Sequence, residues 1–160
     1  MSDTKVLLYY LDDNLGWMNV HKALEKISNK DYHIYAIEHN LKVKLNTFLT
    51  HFEYFDAKEL CKILITLESF SESDQKLIQA IHEFDTTLEL NDIIDQKDNF
   101  IYYVNKDNFE SSIRENILAE VNNLEIPSYF YDYFNFERYI DDQLNYYFEA
   151  SNGYLVYIKN

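Results

Sequence analysis

Four carboxylates, Asp85, Glu89, Asp92 and Asp95, recur at spacings of four, three and three residues, which places side chains on one face of a helix. Neighbours of this kind have Cβ atoms ~5 to 6 Å apart, and like charges there cost a helix ~0.2 to 0.5 kcal/mol per pair. Two explanations offset that cost. The row serves solubility, its earlier acids gaining from the helix N-terminus, or it imitates a strand of phosphates. Duplex DNA carries one charge per ~1.7 Å of axis over both strands, partly offset by condensed counterions, so a sparser carboxylate row suffices for imitation. Glu68, Glu72, Asp74, Asp98, Glu110 and Glu115 are the further carboxylates chosen to extend such a surface, with Glu83, Asp107 and Glu120 as additional candidates.

Catalytic chemistry has weaker support. The five histidines, His21, His33, His39, His51 and His82, show neither HExxH nor paired Cys/His spacing, so no metal site is expected. Asp12-Asp13 and Asp141-Asp142 are adjacent pairs, and adjacent side chains point in different directions on a helix or strand, which suits a solvated face better than joint coordination of a cation. Gly16 and Gly153 are the two glycines, and neither opens the strand-loop-helix context of a phosphate-binding loop. Cys61 falls on an apolar helical face, as a small buried hydrophobe does. No catalytic residue, metal or cofactor is expected.

The net charge of −14 is unevenly spread. Residues 1 to 50 carry 6 acidic and 6 basic side chains, residues 51 to 100 carry 12 and 4, and residues 101 to 160 carry 10 and 4. The whole excess lies beyond residue 50, which disfavours direct nucleic-acid binding and calls for a basic partner. A lone cysteine excludes an internal disulfide framework, and no basic segment followed by an apolar run opens the chain, which points to the cytoplasm. No apolar stretch approaches the ~20 residues that cross a bilayer.

The elements that position these residues are legible in the periodicity. Lys5 to Tyr10 reads as a strand, Asp12 to Gly16 as a turn, and Met18, His21, Leu24 and Ile27 as a helical face, with a second strand over Tyr32 to Glu38. Ala57, Leu60, Cys61, Leu64 and Leu67 line one face of a helix. Ser71 with Asp74 and Thr86 with Glu89 look like capping boxes for two more, the first burying Leu77, Ile78, Ile81 and Phe84. A strand over Asn99 to Asn105 precedes a helix capped by Asp107 and Glu110, with Phe109, Ile113, Ile117, Val121 and Leu124 inward and Pro127 as its stop. Tyr129 to Tyr139 suggests one or two helical turns. Tyr146 to Glu149 and Tyr154 to Lys159 form a hairpin around Asn152-Gly153. The expected class is α+β, as three lobes over residues 1–53, 54–98 and 99–160.

The segment YFYDYFNFERYIDDQLNYYFEASNGYLVYI, Tyr129 to Ile158, follows Ile126-Pro127 and resembles the ArdA antirestriction family in its proline, Tyr-rich helix, acidic Leu segment and closing hairpin. Tyr35-Ala36-Ile37-Glu38-His39 is a fainter echo, and Phe55 to Ile81 shares the helix pattern with mostly generic residues. The likeness spans roughly residues 17 to 160. A Tyr-Gly-Arg-Asp-Leu-like family segment stands here as Tyr139-Ile140-Asp141-Asp142-Gln143-Leu144, without its Gly and Arg, and the N-terminal lobe is shortened. The resemblance implies an elongated three-lobed protein of mobile genetic elements, commonly a homodimer through the third lobe. It also implies a protein that imitates bent duplex DNA in the DNA groove of type I restriction-modification enzymes, without catalysis or cofactor. The alternatives are an inhibitor of another DNA-binding defence complex such as a CRISPR effector, an acidic immunity protein against a basic toxin, and a metal-dependent nuclease built on Asp12, Asp13, Asp141 and Asp142.

Overall fold

The computed structural model describes residues 3–49, 55–123 and 127–158. The fold is α+β, with two small antiparallel sheets. The chain parts into two compact units, residues 1–76 and 77–160, and the boundary passes through the second of the three helices expected as a middle lobe.

In the first unit, β1 (Lys5–Tyr10) lies between β2 (Asp13–Asn19) and β3 (Tyr32–Glu38), antiparallel to both. β2 thus takes up most of the stretch expected as a turn, Asp12 to Gly16, and the first residues of the helix expected after it. Leu11, with φ of +53°, and Asp12 form the hairpin connection. The turn-forming residues are used inside the strand. Asn14 Oδ1 accepts from Gly16 N at 2.7 Å, and Gly16, at φ +82°, lies where the pairing with β1 shifts register. A glycine suits such a bulge because it carries no Cβ to oppose a positive φ. Trp17 and Met18 pair with Leu7 and Val6, so the helix expected from Met18 begins two residues later and keeps His21 and Leu24, with Ile27 at its C-terminal cap. Helix α1 (Val20–Lys26) begins after Asn19, whose side chain accepts from His21 N, and it buries Val20 and Ala23.

After the short α2 (Leu45–Phe48), α3 (Ala57–Ser69) buries the five residues expected, Ala57, Leu60, Cys61, Leu64 and Leu67. Asp56 caps it, its Oδ1 accepting from Lys58 N at 3.0 Å and Glu59 N at 3.2 Å. Helix α4 (Glu72–Phe84) opens as expected, Ser71 Oγ accepting from Asp74 N at 3.1 Å. Leu77, Ile78 and Ile81 are buried, whereas Phe84 stays 38% exposed and meets Phe100 and Phe148 edge-on at 5.7 and 5.9 Å between ring centroids.

In the second unit, α5 (Leu90–Gln96) leads through a 3-10 turn to β4 (Phe100–Tyr103). The strand stops short of Asn105 because that carboxamide is used as a cap: its Oδ1 accepts from Asn108 N at 2.8 Å and α6 (Lys106–Asn123) follows. The cap expected from Asp107 and Glu110 is therefore supplied by Asn105. Leu124 lies outside the described residues. Ser128–Tyr133 is a 3-10 segment, and α7 (Phe136–Leu144) starts from Asn135, whose Oδ1 accepts from Arg138 N at 3.1 Å. The closing hairpin joins β5 (Phe148–Glu149) to β6 (Leu155–Ile158) through Gly153 at φ +87°, and β6 pairs with β4 on its other side.

Phe109, Phe136, Ile140 and Leu155 form a buried cluster here, flanked by Tyr103, Ile113, Ile117, Leu144 and Tyr147. Tyr103 and Tyr147 both meet Phe109 edge-on, at 5.2 and 5.0 Å. Phe109 is fully buried, so replacing it with alanine removes the ring that both tyrosines pack on. Phe109→Ala is expected to cost ~3 to 5 kcal/mol, read from chemical denaturation. A loss under ~1 kcal/mol would show that this cluster is not what holds the second unit together.

Candidate functional site

The acidic excess belongs mainly to the second unit. Residues 77–160 hold 16 acidic and 5 basic side chains, net −11, against 12 and 9, net −3, in residues 1–76. Seven of the ten selected carboxylates, Asp85, Glu89, Asp92, Asp95, Asp98, Glu110 and Glu115, lie in that second unit.

The proposed single helical row does not form. Asp85 follows the end of α4, and only Asp92 and Asp95 lie within α5. Asp85 Oδ1 accepts from Thr87 Oγ1 at 2.6 Å and from Thr87 N at 3.0 Å, which closes the turn between the helices. Glu89 is the residue preceding α5 and forms a capping box with Asp92, with Glu89 N donating to Asp92 Oδ2 at 3.4 Å. The box expected at Thr86 and Glu89 is thus displaced by three residues. An aspartate three positions into the pattern returns the backbone bond, and burial of Ile93 fixes the helix one turn later than the Thr86 reading requires.

What remains is a local acidic surface. Glu89, Asp92, Asp95 and Asp98 are exposed within ten residues that contain one basic side chain, Lys97. Asp85 is half-buried, as is Glu110 on α6, whereas Glu115 is exposed on the same helix.

In the first unit, Glu72 is exposed and pairs with Lys76 at 3.3 Å, and Asp74 is half-buried in the first turn of α4. Glu68 is half-buried too, and its Oε1 accepts from Thr4 N at 2.9 Å, a bond between residues 64 apart. That carboxylate anchors the start of β1 and is not a member of an exposed row. Glu83 likewise has a structural bond: its two oxygens accept from Ser151 Oγ at 2.6 Å and Ser151 N at 3.1 Å, which pins the closing hairpin. Sequence spacing carries no trace of either contact, since each joins residues more than 60 positions apart.

Among the described residues, no group of three His, Cys, Asp or Glu side chains is placed to hold a metal ion. His21 and His33 are exposed; His39 is half-buried, its Nδ1 accepting from Leu41 N at 3.1 Å, and burial lowers its pKa. His82 is buried on α4, and His51 lies outside the described residues. Asp12 and Asp13 are exposed at the first hairpin, and Asp141 and Asp142 are exposed neighbours on α7. Burial pushes the Cys61 thiol up to about 11. Among the described residues, no helix is long and apolar enough to cross a membrane. No protein-family model matches the chain, and no curated protein is significantly similar to it.

Two measurements test these environments. Because the thiolate is the reactive form, Cys61 in the folded protein is expected to resist an exposed-thiol reagent at pH 8 and to react once the chain is denatured; prompt reaction of the native protein would contradict its burial. The bonds from the Thr87 hydroxyl and then the Thr87 backbone hold the Asp85 pKa below the ordinary aspartate value. A depressed carboxylate contributes stability above its unfolded pKa and loses it as pH falls through the folded value. Carboxyl NMR titration should therefore place the Asp85 midpoint below ~3.9 and raise it in Thr87→Ala. A midpoint unchanged by that substitution would remove Thr87 as the cause.

Proposed function

We propose that this protein is an antirestriction DNA mimic that occupies the DNA-binding groove of a type I restriction-modification enzyme in the cytoplasm and excludes DNA from it. The observation that carries the reading is the net charge of −11 on the second unit, with Glu89, Asp92, Asp95 and Asp98 exposed together around α5. A basic groove built for phosphates attracts such a surface over long range and gains counterion release when it binds. The resemblance of Tyr129 to Ile158 to ArdA proteins supplies the target class. It also supplies a homodimer, for which Tyr129, Tyr133 and Tyr146, at 59, 81 and 65% exposure, offer apolar area in the second unit. The reading needs no catalytic residue, metal or cofactor.

One observation favours a second reading. The carboxylates from Asp85 to Asp95 do not share a helical face, and an acidic surface without phosphate-like periodicity suits a local plug against a basic toxin, or against another DNA-binding defence complex such as a CRISPR effector.

Competition separates these readings. A purified type I methyltransferase should lose its DNA duplex to this protein, less effectively as salt rises. Three exposed pairs at ~0.2 to 1 kcal/mol each make the combined Glu89→Gln, Asp95→Asn and Asp98→Asn variant roughly 3- to 150-fold weaker. Undiminished competition by this variant would remove the α5 surface from the contact. No competition at any salt concentration would reject restriction enzymes of this type as targets.

A further inference from the structure

The first unit contains a cavity of about 410 Å³ whose wall includes Asp3, Thr4, His21, Leu41, Ile65 and Glu68. The volume lies within the ~300 to 1,000 Å³ of small-ligand pockets. Its wall is held in place by bonds already formed. Gln75, also on the wall, donates through Nε2 to Leu67 O and Phe70 O, both at 3.1 Å, and its Oε1 accepts from Lys42 N at 2.8 Å. Glu68 is oriented by the bond from Thr4 N at 2.9 Å. Thr4 itself is 1% exposed, and its Oγ1 is buried behind this wall with no hydrogen-bond partner among the described residues.

The chemistry of the wall selects the ligand. Two carboxylates, Asp3 and Glu68, line the cavity, whereas no lysine or arginine does so among the described residues. The last turn of α3, with Glu68 and Ser69, reaches the same cavity, and the C-terminal end of a helix favours cations. No three-residue metal cluster exists among the described residues, so a bare divalent ion fits poorly. Leu41 and Ile65 add apolar wall, which suits a chain of methylenes attached to the cationic head.

We propose that this cavity binds an alkylammonium group, its head met by Glu68 and Asp3 and its methylenes lying on Leu41 and Ile65. The inference is independent of DNA mimicry, because it concerns the nearly neutral first unit and needs no basic groove. Two sources present the same chemistry, a free aliphatic diamine and a lysine side chain of another protein.

The test is an amide NMR titration of the intact chain with 1,5-diaminopentane, with backbone-blocked lysine and with 1-pentanol, at constant ionic strength. Saturable shifts are expected at Thr4, Leu41, Ile65 and Glu68 with the first two compounds and not with the alcohol. Tighter binding of the diamine assigns a free polyamine, and tighter binding of blocked lysine assigns a protein side chain. Glu68→Gln keeps an oxygen to accept from Thr4 N while removing the charge, and should weaken binding roughly tenfold or more, the worth of a hydrogen bond to a charged group. Asp3→Asn, at an exposed position, provides a second variant should Glu68→Gln unfold. Shifts confined to the α5 carboxylates, equal binding of pentanol, or unchanged affinity in a folded variant would each overturn the proposal.

Discussion

Backbone amides at the starts of helices and at turns need acceptors, and a chain with two glycines and one proline has few purely backbone ways of arranging its turns. Side chains meet the demand here. Asn19, Asp56, Ser71, Asn105 and Asn135 accept from amides at helix starts, Asn29 and Asp85 accept within turns, Asn14 accepts at the bulge of β2, and Asn152 accepts from Tyr154 N in the closing hairpin. The architecture depends on these local bonds, since each fixes where an element begins and hence which face it buries. Asn105 illustrates the dependence: its bond to Asn108 N ends the reach of β4 and starts α6, which delivers Phe109 to the centre of the second unit's buried cluster.

The same demand divides the acidic residues into two populations. Asp56, Glu68, Glu83 and Asp85 accept backbone hydrogen bonds, and Asp92 is tied into the capping box of α5. Their charge persists, but its position is set by the fold. Asp95 and Glu115 are exposed on helices and Asp98 on the 3-10 turn after α5. A surface that binds a basic groove draws chiefly on this second population. Counting acids along the sequence merges the two, because an N-cap aspartate and a solvent-facing aspartate are the same letter.

What the sequence made legible follows the range of the interaction. The buried face of α3 was readable residue by residue because one helix carries its whole pattern, and the Ser71 to Asp74 bond was readable because its partners are three positions apart. The helical period of His21, Leu24 and Ile27 belongs to α1, but its start was read too early and Asp13 to Gly16 was read as a turn, because the pairing of Trp17 with Leu7 and Met18 with Val6 is a property of two strands together. The structural roles of Glu68 and Glu83, and the cavity beside Thr4, depend on residues far apart in the chain. Their placement is decided by tertiary packing, to which single-segment periodicity is blind.

The broken row also changes the energetic argument for a functional surface. Four like charges on one helical face would leave three repulsive pairs at ~0.2 to 0.5 kcal/mol each, a cost that asks for a compensating role. In the fold, Asp92 and Asp95 are the remaining pair within α5, and Asp92 occupies its first turn, where the helix macrodipole returns ~0.3 to 1 kcal/mol to an anion. Asp95, in the last turn, meets the opposite end of the macrodipole at a similar cost, so these small terms nearly cancel and do not by themselves call for a functional role. The case for a basic partner therefore rests on the contrast between a net charge of −11 in one unit and −3 in the other. Solubility alone does not require such a contrast, since dispersal of the molecule depends on its total charge, whereas attraction to a localised basic groove depends on where that charge is gathered.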